Sequence, residues 1–256
     1  MENWEIALEK FLKPWKKNPE VTGIIVCGSY ITGNPTKHSD IDIQIILKRG
    51  CIWRERGNKI VDGILMEYFA NPPEMVLRYL EDDLKKRRII EAHMLTTGRV
   101  ILDKNGEIKK LQELGKEYLK KSFDEMPVFK IEFAKYHMFD MADNLEEVYA
   151  RKTPDFNFVY YNFLYTLFDF YCKFLKYNEI NANKVFRFLT DKKDQAKYKL
   201  PNFPDEVFRK RFVKAMTLKN SKEMLNEFKG LVKYVQNKMG GFNIDGWKMK
   251  SPVDLK

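Results

Sequence analysis

Asp40 and Asp42 stand two residues apart where a polar loop gives way to Ile41-Asp42-Ile43-Gln44-Ile45-Ile46-Leu47. Side chains of an extended chain alternate between faces, so this spacing sends both carboxylates to one side of a strand. Adjacent carboxylates repel unless a proton or a divalent cation offsets their charge. Hard oxygen ligands with open positions suit Mg²⁺ or Mn²⁺ bound together with substrate phosphates. Taken alone, Asp-x-Asp is more often a solvated strand end. Glu67 adds to it: in Ile64-Leu65-Met66-Glu67-Tyr68-Phe69 it is a lone acid in an apolar strand pattern, and burying an unpaired carboxylate is costly. A strand laid beside Asp40 and Asp42 explains it, the three acids then forming a two-ion clamp for an in-line displacement. The alternative is a solvated edge or a lysine partner.

The elements that must position these acids are legible around them. Trp4 to Trp15 has helical spacing that Pro14 should end or bend. Val21 to Cys27 is a β-branched run closed by Gly28-Ser29, a turn in which backbone N–H groups and a small hydroxyl can approach a phosphate. Asp40 to Leu47 reads as a second strand and Ile60 to Phe69 as a third β-rich stretch, interrupted by Asp62-Gly63. Asn71-Pro72-Pro73-Glu74 is a helix start with Asn71 as cap, running to about Arg87. Val100 to Gly106 reads as an edge strand and Glu107 to Lys121 as a helix. From Val128 onward only helical patterns follow, over about 129–150, 156–177, 181–189, 205–216 and 221–238, with Gly240-Gly241 as a stop.

Gly28-Ser29, nine residues, then Ser39-Asp40-Ile41-Asp42, with Glu67 on a later strand, resembles the signature of the DNA polymerase β-type nucleotidyltransferases. The two-part layout is similar to that of the aminoglycoside nucleotidyltransferases of the kanamycin-modifying type. The resemblance implies an α+β fold: a nucleotidyltransferase domain, residues 1–124, with a mixed sheet flanked by helices, then an all-α acceptor-binding bundle, residues 125–256. It further implies that Gly28, Ser29, Ser39 and Lys37 contact a nucleoside triphosphate, ATP or another, and that Asp40, Asp42 and Glu67 hold the metal. Asp140, on the first helix of the bundle, aligns with the general base for the acceptor hydroxyl. Two positions depart from the pattern. Asn144 stands where a basic nucleotide contact is expected, and Thr32-Gly33 replaces an arginine in the Gly-Ser loop, leaving Lys37 or a residue of the bundle to neutralise phosphate charge.

Composition sets outer bounds. The chain has 256 residues, 44% hydrophobic, with a formal net charge of +10, long enough for one or two cores. No stretch reaches the roughly 18 to 20 apolar residues of a membrane span, and the opening Met1-Glu2-Asn3-Trp4-Glu5 has no signal-peptide pattern. The expectation is a cytoplasmic enzyme. Cys27, Cys51 and Cys172 lack metal-like spacing. The aromatic stripe from Phe156 to Phe174 reads as bundle core rather than a stacking platform. Three functional readings stand: transfer of a nucleoside monophosphate, AMP from ATP, to a small hydroxyl acceptor of aminoglycoside-like kind, within a possible homodimer; transfer to a tRNA end or a protein side chain, in keeping with the basic charge; and a nucleotide-binding module without turnover.

Overall fold

The computed structural model describes residues 2–33 and 35–253. The chain forms two compact units, 1–122 and 123–256.

In the first unit five strands form one sheet: β1 (Val21–Cys27), β2 (Ile41–Leu47), β3 (Glu55–Val61), β4 (Ile64–Asn71) and β5 (Arg99–Asp103), in the order β3-β4-β2-β1-β5. Only the β2–β4 pair is parallel. Strands β1 and β2 lie inside the sheet and are covered on both faces, which is why they read as nearly continuous apolar runs. Helix α1 (Asn3–Lys17) lays Ala7, Leu8, Phe11 and Leu12 against one face, meeting Ile24, Val26, Ile41, Ile43 and Ile45. The other face carries Ile25, Cys27 and Ile46 and packs against α3 (Pro73–Lys85), α4 (Ile90–Thr97) and α5 (Glu107–Tyr118). A four-residue helical turn, α2 (Ser29–Thr32), follows β1 directly.

Several details differ from the sequence reading. Helix α1 passes through Pro14 to Lys17; the buried contacts of Phe11 and Leu12 and the half-buried Trp15 outweigh the one backbone bond that proline removes. The third β-rich stretch is a hairpin of two strands. Asp62 and Gly63 both have positive φ, +50° and +80°, as a two-residue turn between right-twisting strands requires. Strand β3 was hidden because it is a polar edge strand, Glu55-Arg56-Gly57-Asn58-Lys59, with little buried. Asn71 ends β4, and the cap of α3 is Pro72. Helix α4 has only Glu91, Ala92 and Leu95 buried among eight residues, too weak a periodicity to read.

The second unit is helical: α6 (Val128–Arg151), α7 (Phe156–Phe174), a 3₁₀ turn at Ala182–Lys184, α8 (Val185–Thr190), α9 (Lys192–Lys197), α10 (Glu206–Thr217) and α11 (Ser221–Lys238). The stripe on α7 divides by face: Tyr160, Leu164, Phe168 and Tyr171 are buried, whereas Phe158 and Tyr161 are exposed. Phe168 and Tyr171 pack with Phe203, Phe208 and Phe212. Asp205 ties this core together, capping α10 at the Phe208 N–H (2.9 Å) and accepting the hydroxyls of Tyr171 (2.6 Å) and Tyr234 (2.9 Å). No described helix is long and apolar enough to cross a membrane.

Gly98, between α4 and β5, is required by close approach. A Cβ there would collide with Ile25 and lie 2.8 Å from the Met94 carbonyl and 2.9 Å from Cys27 Sγ. Gly98→Ala is therefore expected to destabilise the first unit by about 1–3 kcal/mol, read as a lower denaturation midpoint with an unchanged slope.

Candidate active site

Asp42 and Glu67 are direct cross-strand partners of the parallel β2–β4 pair. Equal positions in such a pair point to the same side, the side that carries α3, α4 and α5. Met66 and Ala70 point to the α1 side, so the alternation along β4 leaves Glu67 facing the acids of β2. Asp40 precedes β2 by one residue. One carboxylate oxygen from each of Asp40, Asp42 and Glu67 lies within 4.8 Å of the others, and all three residues are half-buried. The structure thus brings together the three acids singled out in the sequence.

Gly28 closes this cluster on the side of β1. Cys27 pairs with Asp42 across the antiparallel β1–β2 ladder, so the chain leaving β1 crosses beside the Asp42 carboxylate. Gly28 adopts φ +81°, and any Cβ there would collide with Asp42 Oδ2. Both the conformation and the contact demand glycine. Ser29 then opens α2, whose turn is closed by Ile31 and Thr32 N–H groups donating to the Gly28 carbonyl (3.2 and 3.1 Å).

Ser39 and Lys37 sit in the turn before β2. Ser39 Oγ accepts from the Thr36 N–H at 2.8 Å, and the Ser39 N–H donates to the Thr36 carbonyl at 3.0 Å. That hydroxyl therefore shapes the turn that presents Asp40. Lys37 is exposed. Asp140 lies on α6 in the second unit, half-buried, and its Oδ2 accepts from the Asn144 amide at 3.1 Å. The two side chains are one helical turn apart on the same face of α6.

Three further residues adjoin the acids, and the sequence reading did not single them out. Arg56, opposite Phe69 on β3, donates to Glu67 Oε1 at 2.7 Å and stacks over the Phe69 ring at 4.8 Å. Its side chain is 70% exposed, so the pair is worth at most about 1 kcal/mol and holds Glu67 without locking it. Gln44 follows Asp42 on the same face of β2 and is buried; as a lone amide in an apolar strand it was visible to the period of two. Glu91 on α4 is buried, with its N–H donating to Asp83 Oδ2 at 2.8 Å. Loss of solvent, and secondarily the charge of Asp83, push the Glu91 carboxyl up to about 8. Burial also raises the Cys27 thiol, with the nearby negative charge of Asp42 and Glu91 adding to it, so Cys27 is a packing residue and not a nucleophile.

Glu91 makes stability depend on pH with a defined sign. Between the ordinary carboxyl range near 4.5 and about 8 the folded state keeps a proton that the unfolded state has lost. Its contribution is therefore complete below pH 4.5 and declines as pH rises to 8. Glu91→Gln should flatten this part of the curve, leaving the variant more stable than wild type at pH 8.5 relative to pH 5 in paired urea titrations.

Residues 9–107 match the family described as Polymerase beta, Nucleotidyltransferase. That span runs from α1 to the start of α5 and contains the Gly28-Ser29 turn and all three acids. Among solved structures, the chain is similar to a nucleotidyltransferase-like protein from Exiguobacterium sibiricum 255-15, with 11% identity, a TM-score of 0.44, and coverage of 92% of this chain and 75% of that one. No curated protein matches. With the turn, the paired strands and the acid cluster all inside the matched span, residues 9–107 form a nucleotidyltransferase-type domain similar to the polymerase β family.

Proposed function

We propose that the protein is a metal-dependent nucleotidyltransferase that moves a nucleoside monophosphate, AMP from ATP, onto a hydroxyl of a small acceptor and releases pyrophosphate. The observation that carries this reading is the Asp42–Glu67 pairing across β2 and β4, with Asp40 completing a cluster of three carboxylates within 4.8 Å. The fit to a divalent cation rests on that donor set: three hard oxygen ligands from different backbone positions, all half-buried. Mg²⁺ or Mn²⁺ bound there would offset the negative charge of the transferred phosphoryl group and of the departing pyrophosphate.

The chain's own residues have separate tasks in this scheme. Gly28 lets backbone come close to Asp42, and Ser29 offers its hydroxyl and N–H where the triphosphate would lie. Lys37, exposed in the loop before β2, is assigned to neutralise phosphate charge, and Ser39 keeps Asp40 presented. Asp140, oriented by Asn144, is proposed to take the proton from the acceptor hydroxyl as the new oxygen–phosphorus bond forms and the bond to pyrophosphate breaks. The second unit, residues 123–256, is assigned to acceptor selection, with a homodimer as one way to complete that site. The setting is cytoplasmic. The net charge of +10 favours a second reading in which the acceptor is a tRNA end, a case marked by binding that weakens steeply with salt.

Pyrophosphate release from the four ribonucleoside triphosphates with Mg²⁺, across aminoglycosides, other polyhydroxyl compounds and total tRNA, tests both readings. Release should appear with one acceptor class and fall by about a hundredfold or more in Asp42→Asn. Nucleotide binding without release from any acceptor would contradict transfer and leave a binding module.

A further inference from the structure

Along the β3–β4 hairpin three cross-strand pairs follow one another on a single face: Ile60–Leu65, Asn58–Glu67 and Arg56–Phe69. Side chains alternate along a strand. Met66 and Ala70 turn to the α1 core, so Leu65 shares the face of Glu67. The Asn58–Glu67 pair therefore has a different neighbour on each side. On one, Arg56 stacks over Phe69. On the other, toward the turn, Ile60 and Leu65 form an aliphatic pair that stays 71% and 39% exposed. Single exposed aliphatic side chains are ordinary on a surface. Here two are paired directly, one step of the ladder from a carboxylate of the acid cluster, and make an apolar shelf beside it. One step is two residues, about 7 Å.

The sheet order assigns this shelf to one of the two reactants, given the nucleotidyl-transfer reading on which the assignment rests. The Gly28-Ser29 turn, where the triphosphate would lie, is on the β1 side of Asp42, whereas Glu67 and the hairpin beyond it are on the β4 side. In an in-line displacement the attacking hydroxyl and the departing pyrophosphate lie on opposite sides of the phosphorus, so the acceptor approaches over the hairpin. We propose that Ile60 and Leu65 select the acceptor, an uncharged hydroxyl compound with an apolar group about 7 Å from the hydroxyl that reacts. That hydroxyl sits at Glu67 and the apolar group covers the aliphatic pair. The exposed Asn58 amide between them offers a donor and an acceptor to the polar atoms of the compound. A polycationic acceptor gains nothing from an aliphatic surface and meets the charge of Arg56 on the other flank. Covering about 55 Å² of apolar surface is enough for a tenfold gain in affinity.

Ligand-observed NMR titration of the full chain with hexyl β-D-glucoside and methyl β-D-glucoside, in EDTA, compares one sugar with and without an apolar chain. The hexyl glucoside should bind at least tenfold tighter. Ile60→Thr and Leu65→Thr should each remove at least threefold of that gain at unchanged melting temperature, because both positions are exposed and threonine suits a strand. Phe158→Thr, at an exposed aromatic of the second unit, should bind as wild type does. With Mn²⁺ in place of EDTA, the sugar protons should relax faster than the terminal methyl of the chain. Equal affinity of the two glucosides, binding of neither, unchanged affinity in the folded threonine variants, an equal loss in Phe158→Thr, or a methyl relaxing faster than the sugar would overturn the shelf. The EDTA titrations need neither metal nor turnover. A protein that releases pyrophosphate with another acceptor and ignores both glucosides contradicts the shelf alone; one that binds the hexyl glucoside here and never releases pyrophosphate contradicts nucleotidyl transfer.

Discussion

Mutual repulsion of three carboxylates is the constraint around which the first unit is organised. Asp40, Asp42 and Glu67 would separate in a flexible chain, and here the sheet holds one oxygen of each within 4.8 Å. The parallel pairing of β2 with β4 fixes Asp42 against Glu67, and a slip of one residue would send Glu67 to the α1 side. That register is secured from both faces, by α1 on Ile41, Ile43 and Ile45 and by α3, α4 and α5 on Ile46. Folding energy from two apolar layers thus maintains an electrostatic arrangement that is unfavourable until positive charge arrives. Arg56 supplies part of that charge in the structure, through an exposed and weak pair.

The same constraint explains the backbone at Gly28. Since Asp42 pairs with Cys27, the residue after β1 must pass within touching distance of the carboxylate, and only a residue without Cβ can do so. The Gly28-Ser29 turn and the acid cluster are therefore one construction. A side chain at position 28 would push Asp42 out of line as well as distort the turn.

What was legible in the sequence follows from where each element lies. Val21 to Cys27 and Ile41 to Leu47 are central strands buried on both faces, so their β-branched runs announce them. Asp42 and Glu67 stood out because charge is anomalous in such runs. Strand β3 escaped because an edge strand with a solvated face carries Glu55, Arg56, Asn58 and Lys59 as a loop would, and α4 because its contacts come from three layers rather than from its own periodicity. Arg56 and Glu91 acquire their roles across strands or between helix and sheet, at sequence separations of 11 and 47 residues from Glu67 and Gln44, beyond the reach of local pattern. In the bundle, the aromatic stripe disclosed its buried face, while the binding of two tyrosine hydroxyls by Asp205 did not show.

The central claim is that Asp40, Asp42 and Glu67 form a divalent-cation site, and Mn²⁺ titration followed by electron paramagnetic resonance reads it directly. Wild-type protein should remove free Mn²⁺ from solution at a saturable site, Mg²⁺ should compete, and a non-hydrolysable triphosphate should tighten the binding. Asp42→Asn should lose it by tenfold or more while remaining folded. Failure of the wild type to bind Mn²⁺ with or without the triphosphate, or undiminished binding in Asp42→Asn, would contradict the account.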